Sequence, residues 1–351
     1  MSSSILTPFC SIVFSQAHLA QARNQALKTA RGTGSLDFEQ LQLSRQLPNL
    51  PPPTFSNPFT LTPEVSLFVD HLAYANHGRN VDELWRYLVI YFTRLDLIFR
   101  QLATPSIRLR LRDIYIATKP LAFQKAEPIL RSPKLQQQKN RTESHRPYMN
   151  AMKAINELGA YFYREGGALQ GHAQQQQQQQ QQQPSDLMLV ITGADLCSDA
   201  ADSGWASAGT PNDGCSYASI RGQSFVGGAC RVDRRRGRRL NVAVVEDGGY
   251  FDGVLVSAHE LGHLLGAVHD GAWPLSGILG PGGRGCSPAS GQLMAAAGPG
   301  AGGDGGGGFK KGAKKVGGSS AFTWSHCTAE QLAYYARLPV AMCLYHRPPF
   351  M

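Results

Sequence analysis

The stretch HELGHLLGAVHD, residues 259–270, sets three histidines and two carboxylates within twelve positions. Val254, Leu255, Val256, Leu261, Leu264 and Leu265 surround them at helical spacing with no proline, which predicts a buried helix to about Leu265. His259 and His263 are four apart. A helix therefore puts both imidazoles on one face, one turn apart, within reach of a single ion. Glu260 points to the side of the first ligand, where a carboxylate can reach a metal-activated water without ligating, as a general base must. Gly266 ends the helix, because glycine readily takes the left-handed backbone, and the turn brings His269 back as a third ligand. Three protein nitrogens leave the fourth zinc position open, which is the catalytic pattern and not the sealed structural one. A bare HExxH arises by chance, and a buried histidine is more often a hydrogen-bonded core residue. The glycine, third histidine and aspartate at fixed offsets weigh against that reading.

The whole pattern, HExxHxxGxxH with a methionine turn downstream, resembles the metzincin clan of zinc peptidases. Asp270 after the third histidine resembles its reprolysin (adamalysin-like) branch. The segments AHELGHLLGAVHDG (258–271) and FTWSHCTAEQLAYY (322–335) are most similar to secreted arthropod metalloproteases of the tick salivary type. The resemblance places Met294, within CSPASGQLMAAAG (286–298), as a hydrophobic floor under the histidines and not as a ligand. Taken alone, a methionine in a Leu-Met-Ala run is plain core more often than not. The resemblance gives Asp270 the role of a buried carboxylate that supports the fold around the helix; the simpler reading is a turn cap. It also implies an α+β, zincin-like fold. A twisted, mostly parallel sheet with helices forms an upper subdomain, and a small irregular lower subdomain is tied by disulfides.

There are seven cysteines and no CxxC pair, so a cysteine zinc site is not expected. Six fall after residue 190, an even set that suggests three disulfides and an oxidising compartment. Six cysteines alone allow ~15 connectivities. The resemblance implies Cys230 with Cys343 and Cys286 with Cys327, leaving Cys197 with Cys215. Cys10 is the odd one, read as part of a leader or residual fragment. Asn140-Arg141-Thr142 is a glycosylation sequon, consistent with secretion.

The formal charge is +9, with six arginines in RVDRRRGRR (231–239) and four lysines in KKGAKK (310–315). Such runs are usually solvated loops; they suit acidic substrates or sulfated glycans. No nucleic-acid module surrounds them, so nucleic acid is not an expected partner. No apolar run reaches the ~18 residues of a spanning helix. A monomer is expected.

Residues 1–62 read as a leader and linker, with the proline-rich LPNLPPPTFSNP at 47–58. The catalytic domain is expected over 63–347, and the family resemblance over about 62–346. EVSLFVD (64–70), IRLRLRDIYI (107–116), DLMLVIT (186–192) and LNVAVVE (240–246) read as strands. VDELWRYLVIYFTRLDLIFRQL (81–102) reads as a helix with a stripe of Val81, Leu84, Trp85, Leu88, Phe92, Leu95, Phe99 and Leu102. YMNAMKAINELGAYFY (148–163) reads as a second amphipathic helix. A last helix is expected from Thr328, with Thr328 and Gln331 as a capping box. The polyglutamine tract within 172–184 and the glycine-rich 298–320 read as disordered insertions. GGACRV (227–232) lies where the family's edge strand pairs with an extended peptide, which suits main-chain recognition of substrate.

These residues together predict a secreted zinc metalloendopeptidase acting on protein or peptide substrates, matrix or plasma proteins among them. Glu260 is the base and His259, His263 and His269 are the ligands. Ser257 lacks the GxSxG turn of a serine hydrolase. Calcium is a second candidate ion, with Glu64, Asp186 and the Cys343 carbonyl as its donors, since calcium prefers oxygen ligands from loops and strand ends. Two rivals stand beside this reading. One is a zinc-binding but inactive homologue serving as an extracellular binding module. The other is a basic, glutamine-rich nuclear regulator with an accidental motif.

Overall fold

Two largely apolar strands set the centre of the molecule. The computed structural model describes residues 59–120, 147–165, 185–198, 220–278, 280–296 and 322–345. In chain order the elements begin β1 (Thr60–Leu61), β2 (Glu64–Val69), α1 (His71–Asn76), α2 (Val81–Phe99), β3 (Ser106–Ile107) and β4 (Arg110–Ile116). Then follow β5 (Tyr148–Asn150), α3 (Ala151–Glu165), β6 (Leu187–Thr192), β7 (Asp195–Cys197), β8 (Gly222–Ser224), β9 (Val232–Asp233), β10 (Arg238–Arg239) and β11 (Val242–Glu246). The chain closes with α4 (Val254–Leu264), α5 (His326–Ala336) and a 3₁₀ turn, Pro339–Leu344. Cys10, the sequon at 140–142, Cys215, the polyglutamine tract, the glycine-rich segment and the lysine run lie outside the described residues.

The main sheet has the order β4-β2-β6-β11-β8; its first four strands are parallel and β8 runs antiparallel at the edge. Strands buried on both faces are apolar through their interior, which is why LMLVIT and VAVVE carry no alternation before their terminal Thr192 and Glu246. Their side chains still alternate. Leu187, Leu189, Ile191, Ala243 and Val245 join one core with α2 and α4, while Met188, Val190, Val242 and Val244 join a second with α3. The sheet is thus mixed, with helices on both faces.

The helices start where their caps say. Asn80 accepts from the Asp82 and Glu83 amides at 3.0 and 3.2 Å and opens α2. The stripe on α2 is buried at Leu84, Leu88, Phe92, Leu95 and Phe99; Val81 and Trp85 are half-buried, and Tyr87, Tyr91 and Asp96 are buried as well.

Four expectations are corrected. Residues 107–116 form two strands, because the Leu109 amide turns inward to Asp96 Oδ1 (2.8 Å) and breaks the run. Residues 148–150 are a strand paired with β7, so the helix begins only at Ala151. The last helix is capped by Ser325, whose Oγ accepts from the Thr328 amide at 3.0 Å; Gln331 Oε1 instead accepts from the Val268 amide at 2.8 Å. The edge strand is Gly222–Ser224 and not 227–232. Residues 227–230 serve as a loop over the end of α4, where the Gly227 and Ala229 amides donate to the His263 and Leu264 carbonyls at 2.7 and 3.0 Å.

Candidate metal centre

Helix α4 lies between the sheet and α2, so its histidine face is built on a packed support. Buried Tyr91 on α2 hydrogen-bonds Ser257 at 2.6 Å, and Ser257 is fully buried there. The helix ends at Leu264, and Gly266 follows at φ +100, the left-handed turn expected of it. The turn returns His269 to the other two histidines. The His259 and His269 Nε2 atoms lie 3.1 Å apart, and those of His263 and His269 3.2 Å apart.

The opposite ring nitrogens are tied down. His259 Nδ1 donates to the Leu293 carbonyl at 2.6 Å, and His263 Nδ1 to the Ala267 carbonyl at 2.8 Å. These bonds fix the tautomer: each Nδ1 keeps the proton and each Nε2 turns a lone pair inward. Burial keeps the rings neutral. It pushes His259 down to about 3 and His263 and His269 below their ordinary value, with neighbouring histidines adding to the first two. Neutral imidazole is the ligating form. Tetrahedral zinc with ~2.05 Å bonds places its nitrogen ligands ~3.3 Å apart. The donor set therefore fits zinc in atom type, protonation and spacing.

Glu260 is buried beside His259, and Ser224 Oγ donates to its Oε2 at 2.6 Å. Burial pushes this carboxyl up to about 8, against the pull of the Ser224 hydrogen bond. Met294 is fully buried under the helix: a Cβ on Gly262 would meet its Sδ at 2.9 Å. Asp270 is buried and joins two segments. Its amide donates to the Met294 carbonyl at 2.8 Å, and its Oδ1 accepts from Ser325 Oγ at 2.6 Å. The methionine turn, the third histidine and the last helix are held to one another through this residue.

The disulfides Cys230–Cys343 and Cys286–Cys327 are both present. Cys197 is disulfide-bonded too, and its expected partner, Cys215, lies outside the described residues. Glu64 and Asp186 do come together, the Glu64 amide donating to Asp186 Oδ2 at 2.8 Å. The Glu64 carboxylate is paired with the Arg112 guanidinium at 3.0 Å. Sequence reading missed the Leu293 and Ala267 carbonyls and Ser224. Backbone carbonyls carry no residue signature, and Ser224 reaches the site only through tertiary packing.

A sequence model of the reprolysin-type metallopeptidase family M12 matches residues 62–302. The chain is 29% identical over 291 residues to a Bombyx mori protein described as "A disintegrin and metalloproteinase with thrombospondin motifs like", covering 83% of this chain and 34% of that protein. It is 23% identical over 282 residues to venom metalloproteinase 3 of Eulophus pennicornis, covering 80% of this chain and 51% of that protein. The chain thus spans about a third to a half of these relatives. With the match covering more than half of its length, the chain belongs to the metallopeptidase family M12.

Proposed function

We propose that this chain is a secreted zinc metalloendopeptidase of metzincin architecture, with its catalytic domain over residues 63–347. The observation that carries the proposal is the convergence of three Nε2 atoms at 3.1 and 3.2 Å, two of them on rings whose Nδ1 is bonded to a carbonyl. His259, His263 and His269 would hold the ion. Bound there, zinc supplies a Lewis acid for the scissile carbonyl and for water. Glu260 takes the proton from the attacking water and later gives it to the leaving amine. Met294 closes the site from below, and Asp270 fixes the return of His269.

The outer edge of β8 suits an extended substrate. Its partner β11 takes one side of the strand, and the other side is the end of the sheet. A peptide main chain adding there would run beside Glu260, since Ser224 is both on this strand and bonded to that carboxylate. Disulfides favour an oxidising, extracellular setting. Among the described residues no helix is long and apolar enough to cross a membrane.

The test compares wild type with Glu260→Ala after oxidative refolding, by zinc content and by cleavage of gelatin. We expect equal zinc in both, and cleavage by wild type alone that a chelator abolishes. Zinc in both with cleavage by neither would replace this reading with the inactive binding module. No zinc in a folded wild type would refute the metal centre itself.

A further inference from the structure

Strand β8 meets the Glu260 side chain at two points. Ser224 and Glu260 are both buried, and Ser224 Oγ lies 2.6 Å from Glu260 Oε2 and 3.0 Å from the Glu260 backbone oxygen. Two residues earlier on the same strand face is Gly222. A Cβ at Gly222 would stand 2.7 Å from Glu260 Oε1, 2.8 Å from Glu260 Cγ and 2.6 Å from Val256 Cγ1. Real Cβ atoms do not approach so closely, so glycine is what lets the carboxylate lie against the strand.

We propose that Ser224 is a positioning residue for Glu260, and that Gly222 is the small residue that leaves room beside Oε1. The inference rests on reading Glu260 as the general base. A buried glutamate has several rotamers, and only one aims its oxygen at the reacting water. Ser224 selects one. Its hydroxyl has a single proton, and the shorter contact, to a carboxylate, is the stronger. Among the described residues it is the donor that reaches this carboxylate.

The two oxygens then have separate tasks. Oε2 stays the acceptor of the Ser224 proton throughout. Oε1 takes the proton from water and releases it to the leaving amine, so Glu260 ends the cycle as it began. An alanine methyl at 222 would press on Oε1 and turn the carboxylate away. A substrate strand added to the edge of β8 would seat against the same strand that aims the base, so binding and base geometry share one support.

The experiment uses the zinc-loaded, refolded chain with Ser224→Ala, Ser224→Thr and Gly222→Ala. An internally quenched peptide gives kcat and KM, and zinc is measured in parallel. Ser224→Ala is expected to lower kcat about tenfold, with KM within about twofold and zinc unchanged, because a hydrogen bond to a charged group has been lost. Ser224→Thr, which keeps the hydroxyl, recovers most of the rate, and Gly222→Ala loses as much as Ser224→Ala. A second readout does not involve turnover. In metal-free protein, Ser224→Ala lowers Tm by about 2–4 °C when Glu260 is present and by less than half of that in a Glu260→Ala background. A Ser224→Ala rate within about twofold of wild type, or equal Tm losses in both backgrounds, would overturn the inference and leave the peptidase reading standing. A wild type that binds zinc but cleaves nothing would remove the peptidase reading and this inference together.

Discussion

Gly266→Ala tests the link between the helix end and the third histidine. Gly266 sits at φ +100, where a side chain is strained by ~1–2 kcal/mol. Its Cβ would also fall 2.6 Å from Tyr335 Cδ2 and Cγ and 2.7 Å from Tyr335 Cβ. That ring cannot swing aside cheaply. Tyr335 is 1% exposed, and its hydroxyl lies 3.0 Å from both the Gly227 and the Ala229 carbonyl. Overpacking of this kind costs ~1–3 kcal/mol, so the total is ~2–5 kcal/mol. For a domain of this size it amounts to a Tm lower by ~4–20 °C. Zinc content should fall as well, since His269 lies three residues beyond the turn. Thermal melting of the metal-free protein and zinc stoichiometry after reloading provide the readouts. Tyr335→Phe is the control: it keeps the ring and loses one buried hydrogen bond, ~1–1.5 kcal/mol, with zinc retained. A Gly266→Ala protein that melts within about 2 °C of wild type and holds full zinc would refute the argument, because neither the strain nor the clash would then exist.

Two further predictions concern stability. Burial pushes the Asp186 carboxyl up to about 7, opposed by the Glu64 amide. The folded state therefore holds this proton where the unfolded chain has lost it, so the contribution is full below pH ~4 and is lost as pH rises to ~7, by up to ~4 kcal/mol. Melting curves between pH 4.5 and 7.5 should fall less steeply in Asp186→Asn than in wild type, with Glu260, pushed up to about 8, still contributing to the fall in both; parallel curves would refute it. Chain entropy puts the Cys230–Cys343 link, with a separation of 113 residues, at ~4.8 kcal/mol and the Cys286–Cys327 link, with 41, at ~3.9 kcal/mol. Urea unfolding of the two serine-pair variants should show losses of this order, and a loss under ~1 kcal/mol for either would contradict the estimate.

The histidine-bearing helix, its glycine stop and the three histidines were legible because their arrangement depends on local spacing. Four residues make one helical turn, and one glycine makes the reversal, whatever surrounds them. The buried strands were legible for a similar reason: a strand covered on both faces is apolar through its interior, as LMLVIT and VAVVE are up to the polar residue that ends each, Thr192 and Glu246. Their division into two cores, one per face, also follows from period-two alternation once the strands are placed.

What failed, or went unseen, was decided by partners distant in sequence. The break in 107–116 depends on Asp96, and Gln331 is not a capping residue because Val268 claims it. Gly222–Ser224 became the edge strand by pairing with β11, where the family resemblance had placed GGACRV. Arg112 pairs with Glu64 from 48 residues away. The same division runs through the metal centre. Sequence named the proposed ligands and the proposed base, since those roles require particular side chains at particular intervals. The tertiary structure alone chose which carbonyl holds the His259 imidazole and which hydroxyl holds the glutamate, because a hydrogen bond across 34 or 36 residues depends on where the chain has folded and leaves no pattern in the intervening sequence.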